Sequence, residues 1–354
     1  MEKLSFALTF FLGVLGSGMR NEIYLIDAYA RIYRGYHALP PMGDSKGRPT
    51  SALFAMGKFL LSFEESYHPE YGAVVYDLGE PVVRTAILPE YKANRAPMPD
   101  DLREQLDAIR DLVAAFGYPI LEIEGREADD VLAALASEFV DFAVKIVSSD
   151  KDLAQVIDGR VEMLVPERKG GGLSRRGVRE VEDKFGVSPE QIVDYLALIG
   201  DASDNIAGVS GVGAKTASSL LAEFGSVDGV YADLGAVKRE KLRESLRDSE
   251  GIVKRNIELV RLDRSLPDDT WRDIGILKRR SPDWGVLLSM ARDYDLTTLA
   301  RAFESRMASS SVDSGVPSGS GVAVSVSTER VSSPGASSSS VTGDMFTPDF
   351  FGDG

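Results

Sequence analysis

Gly200-Asp-Ala-Ser-Asp-Asn-Ile-Ala-Gly-Val-Ser-Gly-Val-Gly-Ala-Lys-Thr216 sets two signals side by side. Asp201 and Asp204 are carboxylates three apart, just past an apolar helical run that includes Ile192, Tyr195, Leu196 and Ile199. Gly211-Val-Gly213-Ala-Lys215-Thr216 is a glycine turn that opens a new helix. The first half has the character of a cation site. The second presents backbone N–H groups at a helix N-terminus, which suits a phosphate oxygen, with Lys215 adding a charge and Thr216 a hydroxyl. A Gly-x-Gly before a helix is weak evidence by itself, since many tight turns look the same. Directly after metal-spaced carboxylates it gains weight, and it grips backbone rather than bases.

Upstream, apolar runs end in acids: Ile23-Tyr-Leu-Ile-Asp27, Tyr71-Gly-Ala-Val-Val-Tyr-Asp77 and Phe142-Ala-Val-Lys-Ile-Val-Ser-Ser-Asp150-Lys-Asp152. They read as buried strands, and a further strand is expected over 161–165. Helices are expected over 28–36, 51–65, 100–116 and 131–139. Strands alternating with helices argue for an α/β fold with a mainly parallel sheet. In such a sheet the carboxyl ends of the strands face one way and form the site edge, so Asp27, Asp77 and Asp150 are expected to converge. Taken singly, a strand-ending Asp is equally well read as the cap of the following helix. Glu127, Asp129 and Asp130 are three acids in four residues, which exceeds what capping needs. With Asp152, Asp201 and Asp204 the set reaches nine carboxylates. Unscreened, such a set would force several of its members to protonate, so two or more divalent ions are expected among them. Two metal ions suit attack of water on a phosphodiester, one ion on each side of the scissile bond.

The bulk composition agrees with hard-cation chemistry. The chain has 354 residues and no cysteine, which excludes disulfides and cysteine-ligated zinc or iron–sulfur sites. Its two histidines, His37 and His68, leave little for imidazole chemistry, and the remaining carboxylates suit Mg²⁺ or Mn²⁺. A net charge of −15 argues at first sight against a nucleic-acid partner. That measure is blunt, because metal-binding carboxylates count as acid until their cations are added. Basic residues also come in local groups. Glu90-Tyr-Lys92-Ala-Asn-Arg95-Ala-Pro97-Met-Pro99 is either a solvated loop or a mobile segment that sets Lys92 and Arg95 over a phosphate. Arg168, Lys169, Arg175, Arg176 and Arg179 mark a basic hairpin or loop, and 238–247 a strongly charged helix.

The ends are of a different character. Residues 1–18 form an apolar leader, open to reading as a secretion signal, a short anchor, or an extension upstream of a natural start at Met19; the start at Met19, or an unstructured leader, is the expectation. From about Met307 to 354 the chain is Ser-rich and of low complexity, and a disordered tail is expected. Its end, Asp344-Met-Phe-Thr-Pro-Asp-Phe-Phe351, reads as a degenerate terminus or as a docking peptide for a sliding clamp or polymerase.

In order and spacing, these motifs resemble the 5′-nuclease family: the 5′→3′ exonuclease domain of bacterial DNA polymerase I and the flap endonucleases. The resemblance runs from about Ile23 to Asp263. It rests on Leu-Ile-Asp27, Val-Val-Tyr-Asp77, Tyr91-Lys92-Ala-Asn-Arg95, Glu127-Ala-Asp-Asp130, Ser149-Asp150-Lys-Asp152-Leu, Gly200-Asp201-Ala-Ser-Asp204-Asn and the glycine turn. It implies a PIN-like nuclease core over 19–185 with an arch segment at about 84–116, and a helical DNA-binding region with a helix–three-turn–helix over 186–306. It further implies that Asp27, Asp77, Glu127, Asp129, Asp130, Asp150, Asp152, Asp201 and Asp204 hold two metal ions. Lys92, Arg95 and Arg84 would act on the scissile phosphate. Gly211, Gly213, Lys215 and Thr216 would bind duplex backbone, with K⁺ at the glycine hairpin, and Tyr36 would stack. The expected protein is a monomeric, cytoplasmic, nucleoid-associated enzyme with no membrane partner. Its expected substrates are DNA with a 5′ end or flap and RNA–DNA primers. Residues 307–354 do not read as a polymerase or proofreading region, and a stand-alone nuclease is the expectation. A branched-DNA-binding protein with little catalysis is the alternative.

Overall fold

A computed structural model describes residues 21–167 and 172–313. The leader, the tail beyond 313, and Arg168 and Lys169 of the basic loop lie outside the described residues. The first half alternates strand and helix: β1 (Glu22–Asp27), α1 (Ala28–Ala38), α2 (Ser51–Tyr67), β2 (Tyr71–Val75), α3 (Val82–Ile87), α4 (Asp100–Arg103), α5 (Leu106–Ala115), β3 (Ile120–Leu121), α6 (Ala128–Glu138), β4 (Ala143–Val147), β5 (Val161–Pro166) and β6 (Leu173–Arg176). They build one six-stranded sheet in the order β3-β2-β1-β4-β5-β6. All pairs are parallel except the edge pair β5–β6.

Strand side chains alternate between two layers, as the two-residue period requires. Ile23, Leu25, Ala73, Val75, Val144 and Ile146 pack under α6 in one core. Tyr24, Ile26, Val74, Tyr76 and Val147 pack against α1, α2 and α5 in the other. Burial on both faces explains why these strands read as continuous apolar runs.

The second half is helical: α7 (Val178–Phe185), α8 (Ile192–Ile199), α9 (Ala214–Phe224), α10 (Val227–Ala232), α11 (Glu240–Asp248), α12 (Glu250–Val260), α13 (Trp284–Asp293) and α14 (Thr297–Asp313). Between α8 and α9 lies a small antiparallel pair, β7 (Gly200–Asp201) and β8 (Ile206–Ala207). The core under α6 continues without a break through Leu196, Leu220, Val253 and Leu259 of the helical region. Gln155 fastens the join: its amide donates to Val260 O at 3.0 Å and its carbonyl accepts from Leu262 N at 3.1 Å.

Two boundaries differ from the expectation. Helix α5, placed in the arch, is core: Ile109, Leu112 and Val113 are buried against α2 and the sheet. The segment between α3 and α4 rests on the core through Leu88, Tyr91 and Met98. Helices α13 and α14, grouped with the DNA-binding region, pack instead on the nuclease core beside α2 and α5. Phe303 meets Phe116 edge-on at 5.8 Å, and Leu299 fills the space over Gly57. Helix α14 continues through Asp313, past the composition change at about Met307. No helix among the described residues is long and apolar enough to cross a membrane.

Candidate active site

The carboxyl edge of the parallel sheet collects the acids. Asp27 ends β1 and caps α1, its Oδ1 accepting from Ala30 N at 3.0 Å. Both readings of a strand-ending Asp are therefore realised in one residue. Its Oδ2 accepts from Ser148 Oγ at 2.8 Å, and that same hydroxyl accepts from Asp150 N at 3.1 Å. Asp150 in turn accepts from Asp152 N at 2.9 Å, which starts a 3₁₀ turn. Asp77, just past β2, accepts from Ala128 N at the head of α6 at 2.7 Å.

Asp129 projects from the first turn of α6 into the same space, where it feels the charges of Asp150, Asp27 and Asp77. Asp201 and Asp204 come from the β7–β8 hairpin. Gly200 and Gly208 make that hairpin possible. A Cβ on Gly200 (φ +75°) would lie 2.3 Å from Gly208 N, and one on Gly208 would lie 2.2 Å from the Ile199 carbonyl. The tight crossing presents Asp201 and Asp204 together, and each has an oxygen within 4.8 Å of one on Asp152.

The electrostatics follow from burial. Asp27 is pushed up to about 7, first by loss of solvent and then by neighbouring carboxylates such as Asp77, against the bonds from Ala30 and Ser148. Burial also raises Asp77 and Asp150, and it drives Asp129 and Asp152 well above the carboxylate range with help from adjacent acids. Asp201 goes the other way. Burial pushes it up, but the Lys151 ammonium and bonds from Lys151 and Ser203 hold it below the usual value.

The pocket therefore fits hard divalent cations. Its donors are all carboxylate oxygens. Asp129 Oδ1 and Asp152 Oδ1 are buried with no hydrogen-bond partner among the described residues. A buried carboxylate oxygen without a donor is costly unless a cation meets it.

Asp130 is separated from this group, and Glu127 stands at its rim. Glu127 is the extended N-cap of α6 and Asp130 lies in its first turn, and both meet Arg84, whereas Asp129 is turned about 100° from Asp130 toward the pocket. Both oxygens of Asp130 are taken by Arg84: Nη1–Oδ2 is 2.6 Å and Nη2–Oδ1 is 2.8 Å. Arg84 Nη1 also reaches Glu127 at 2.6 Å, and its Nε donates to Leu259 O at 2.8 Å. Arg84, expected to act on phosphate, is thus a buried tie between α3, α6 and the end of α12. Asp130, expected to be a metal ligand, is its counter-charge.

Lys92 and Arg95 sit over the acids. Lys92 pairs with Glu127 and lies 3.8 Å from Asp204; Arg95 meets Asp204 at 2.5 Å and is half exposed. Their turn is clasped to the hairpin by Lys92 N to Asp204 O (3.0 Å), Asn94 to Ala202 O (2.7 Å) and Asn205 to Glu90 O (2.8 Å). Tyr91 places its hydroxyl 2.9 Å from Asp204 Oδ2 and 3.1 Å from Glu127 Oε2.

At the glycine turn, Val209 and Val212 are buried and pin the backbone. Gly211 (φ +76°) and Gly213 are exposed, with nothing within 4 Å of where a Cβ would be. Lys215 is exposed on the first turn of α9, and Thr216 lies beside it.

Tyr36 turns elsewhere: its hydroxyl donates to Asp101 of α4 at 2.9 Å. The aromatic side chains nearer the acids are Tyr29 and Tyr33. Burial raises both hydroxyls; Asp77 adds to the shift of each, and Arg95 and Arg103 oppose it at Tyr33. Their rings are 6.4 Å apart, and Tyr33 stacks on His37 at 6.2 Å. Ser148, Lys151, Tyr33 and Tyr91 thus join the site without having been assigned roles from the sequence. The detectable signal for Tyr33 was an aromatic row at helical spacing after Asp27.

Two family models match consecutive stretches: the 5′-3′ exonuclease N-terminal resolvase-like domain over 22–186 and the 5′-3′ exonuclease C-terminal SAM fold over 187–283. The chain belongs to the 5′-3′ exonuclease family. It is therefore a nuclease, with a resolvase-like, PIN-like core and a SAM-like helical region.

A 5′-3′ exonuclease from Aquifex aeolicus is 35% identical over 283 residues, 79% of this chain and 94% of that protein. DNA polymerase I of Pseudomonas aeruginosa is 42% identical over 270 residues, covering 71% of this chain. The match spans only 29% of that polymerase's length. Among solved structures, a bacteriophage T5 D15 flap endonuclease complex with DNA and metal ions superposes with a TM-score of 0.58 at 23% identity, covering 80% of this chain and 98% of that one. That likeness is one of fold, and it includes the mainly parallel sheet and the helical region of this family member.

Proposed function

We propose that the chain hydrolyses DNA phosphodiesters as a divalent-metal-dependent 5′→3′ exonuclease and 5′-flap endonuclease, acting on flaps and on RNA–DNA primers in replication and repair in the cytoplasm. The observation that carries this reading is the convergence of seven aspartates on one sheet edge, beneath a cationic segment and next to an exposed glycine turn. Asp27, Asp77, Asp129 and Asp150 would hold one Mg²⁺ or Mn²⁺, and Asp152, Asp201 and Asp204 a second. When bound, the ions supply an activated water and stabilise the leaving oxygen.

The protein's own groups do the rest. Lys92 and Arg95, held over the acids by the clasp to the hairpin, exchange their carboxylate partners for the scissile phosphate. Tyr91 holds Glu127 and Asp204 in register through one hydroxyl. Gly211, Gly213, Lys215 and Thr216 take duplex backbone, independent of sequence, and K⁺ at this turn belongs to the same proposal.

Incubation with a labelled 5′-flap duplex tests the reading. Cleavage in Mg²⁺ that stops in EDTA is expected. Tight binding with no cleavage in either condition would establish a branched-DNA-binding protein instead.

A further inference from the structure

The acids of the pocket do not share one electrostatic situation. Asp129 and Asp152 each leave a buried oxygen without a partner. Asp201 has both oxygens engaged. Its Oδ1 accepts from Ser203 N at 2.9 Å and Ser203 Oγ at 2.6 Å, and its Oδ2 meets the Lys151 ammonium at 2.9 Å.

Lys151 differs from the other two cations at this site. Lys92 and Arg95 belong to the segment between α3 and α4 and face the substrate side. Lys151 lies between Asp150 and Asp152 in sequence, inside the turn that aims those two carboxylates. Its carbonyl accepts from Ala154 N at 3.0 Å, and the Asp150–Asp152 bond closes around it, so its Cα is fixed with the acids. A phosphate that draws Lys92 and Arg95 away leaves Lys151 on Asp201.

We propose that Lys151 is a tethered counter-cation, which holds Asp201 in the metal-free pocket and has to release it before a second divalent ion takes Asp152, Asp201 and Asp204. This rests on the two-metal reading. The consequence is an ordered pair of sites. Among the described residues no lysine or arginine is ion-paired with Asp27, Asp77, Asp129 or Asp150; Lys92 acts on Asp77, Asp129 and Asp150 and Lys151 on Asp150 only through space, so an ion enters that side without displacing a paired ammonium. The side of Asp201 binds in competition with an ammonium at high local concentration. Release costs the Lys151–Asp201 pair, so the second site is the weaker one. In return the metal-free pocket keeps its shape, because one of its carboxylates is already neutralised.

Mn²⁺ binding followed by electron paramagnetic resonance, without DNA and without turnover, reads this directly. The wild-type protein should show a tight and a weak class of site. Lys151→Met removes the charge and keeps the side-chain length. It should tighten the weak class by about tenfold, the scale of one partly buried charge pair, and leave the tight class unchanged. Lys151→Gln, with a polar tip and no charge, should do the same; Lys151→Arg should not. In thermal melts, Lys151→Met should lower the midpoint of the metal-free protein and enlarge the gain on adding Mn²⁺. Two unchanged classes in Lys151→Met and Lys151→Gln would overturn the role of Lys151 and leave the two-metal reading standing. A wild-type protein that binds no Mn²⁺ would overturn both.

Discussion

Arg84 shows how far one side chain's position changes its meaning. It is 8% exposed and, from α3, meets two carboxylates at the start of α6 and a carbonyl of α12. Arg84→Ala would leave Asp130 without its counter-charge and Glu127 with Lys92 alone. The expected loss is about 3–5 kcal/mol of stability, read from urea unfolding of the metal-free protein. Arg84→Lys should recover only part of it, because a single ammonium does not reproduce the bidentate fork. A loss below about 1 kcal/mol would place Arg84 at the substrate after all. The sequence made the acids of Glu127-Ala-Asp-Asp130 visible as a group. It also held the means to divide two of them, since successive helical positions point about 100° apart, which separates Asp129 from Asp130. What it did not show was that Arg84, 43 positions from Glu127, is their counter-charge. The two tyrosines make a second case. Tyr33→Ala should weaken binding of a single-stranded 5′ flap by roughly tenfold, if one base stacks on its ring. Tyr36→Phe, which removes only the bond to Asp101, should change it less than about twofold. Fluorescence anisotropy in EDTA separates the two, and the reverse ranking would return the stacking role to Tyr36.

Among the elements, the stretch from Gly200 to Thr216 contains two kinds of glycine. Gly208 is needed for packing: a Cβ there would lie 2.2 Å from the Ile199 carbonyl, a backbone atom that has no room to yield. Gly208→Ala should cost more than about 2 kcal/mol and displace Asp201 and Asp204 together. Gly213 has open space and an ordinary φ of −104°. Gly213→Ala should leave the melting temperature within a degree or two of wild type, yet weaken duplex binding, because the methyl stands where a phosphate would approach. Equal effects of both substitutions on stability would refute this division. The strands were legible because continuous apolar runs of that length have few other uses. The placement of α5 was not. Its apolar stripe indicated that one face is buried, but a stripe does not name the surface that covers it. The same limit applies to α13 and α14, whose Leu287, Leu299 and Phe303 join each other against α2 and α5 rather than the core of the preceding helices α11 and α12.

For the whole molecule, one continuous core joins the sheet to the helical region, so the acid pocket is held by both halves. Its charge is a property of the entire protein and makes stability depend on pH in a definite direction. Asp27 is raised to about 7, and Asp77, Asp129, Asp150 and Asp152 are raised as well, each above an unfolded value near 3.9. Between the unfolded and folded values the native state binds more protons than the unfolded chain. The contribution of these groups is therefore fully present below about pH 4 and is lost as pH rises through the folded values. Asp201, held low by Lys151, works in the opposite sense, but it is one group against five. The metal-free protein should therefore lose stability as pH rises toward and through about 7, the folded value of Asp27. Divalent ions compete with protons for the same oxygens, so their stabilisation should grow over that range. Melting curves at pH 5.5 and pH 8, each with EDTA and with excess Mg²⁺, give four midpoints. The gain from Mg²⁺ should be clearly larger at pH 8. Asp129→Asn should raise the midpoint in EDTA at pH 8 and shrink the Mg²⁺ gain, because it removes a buried charge and a ligand at once. A gain from Mg²⁺ that is equal at both pH values, or larger at pH 5.5, would mean that these carboxylates are not where the ions bind.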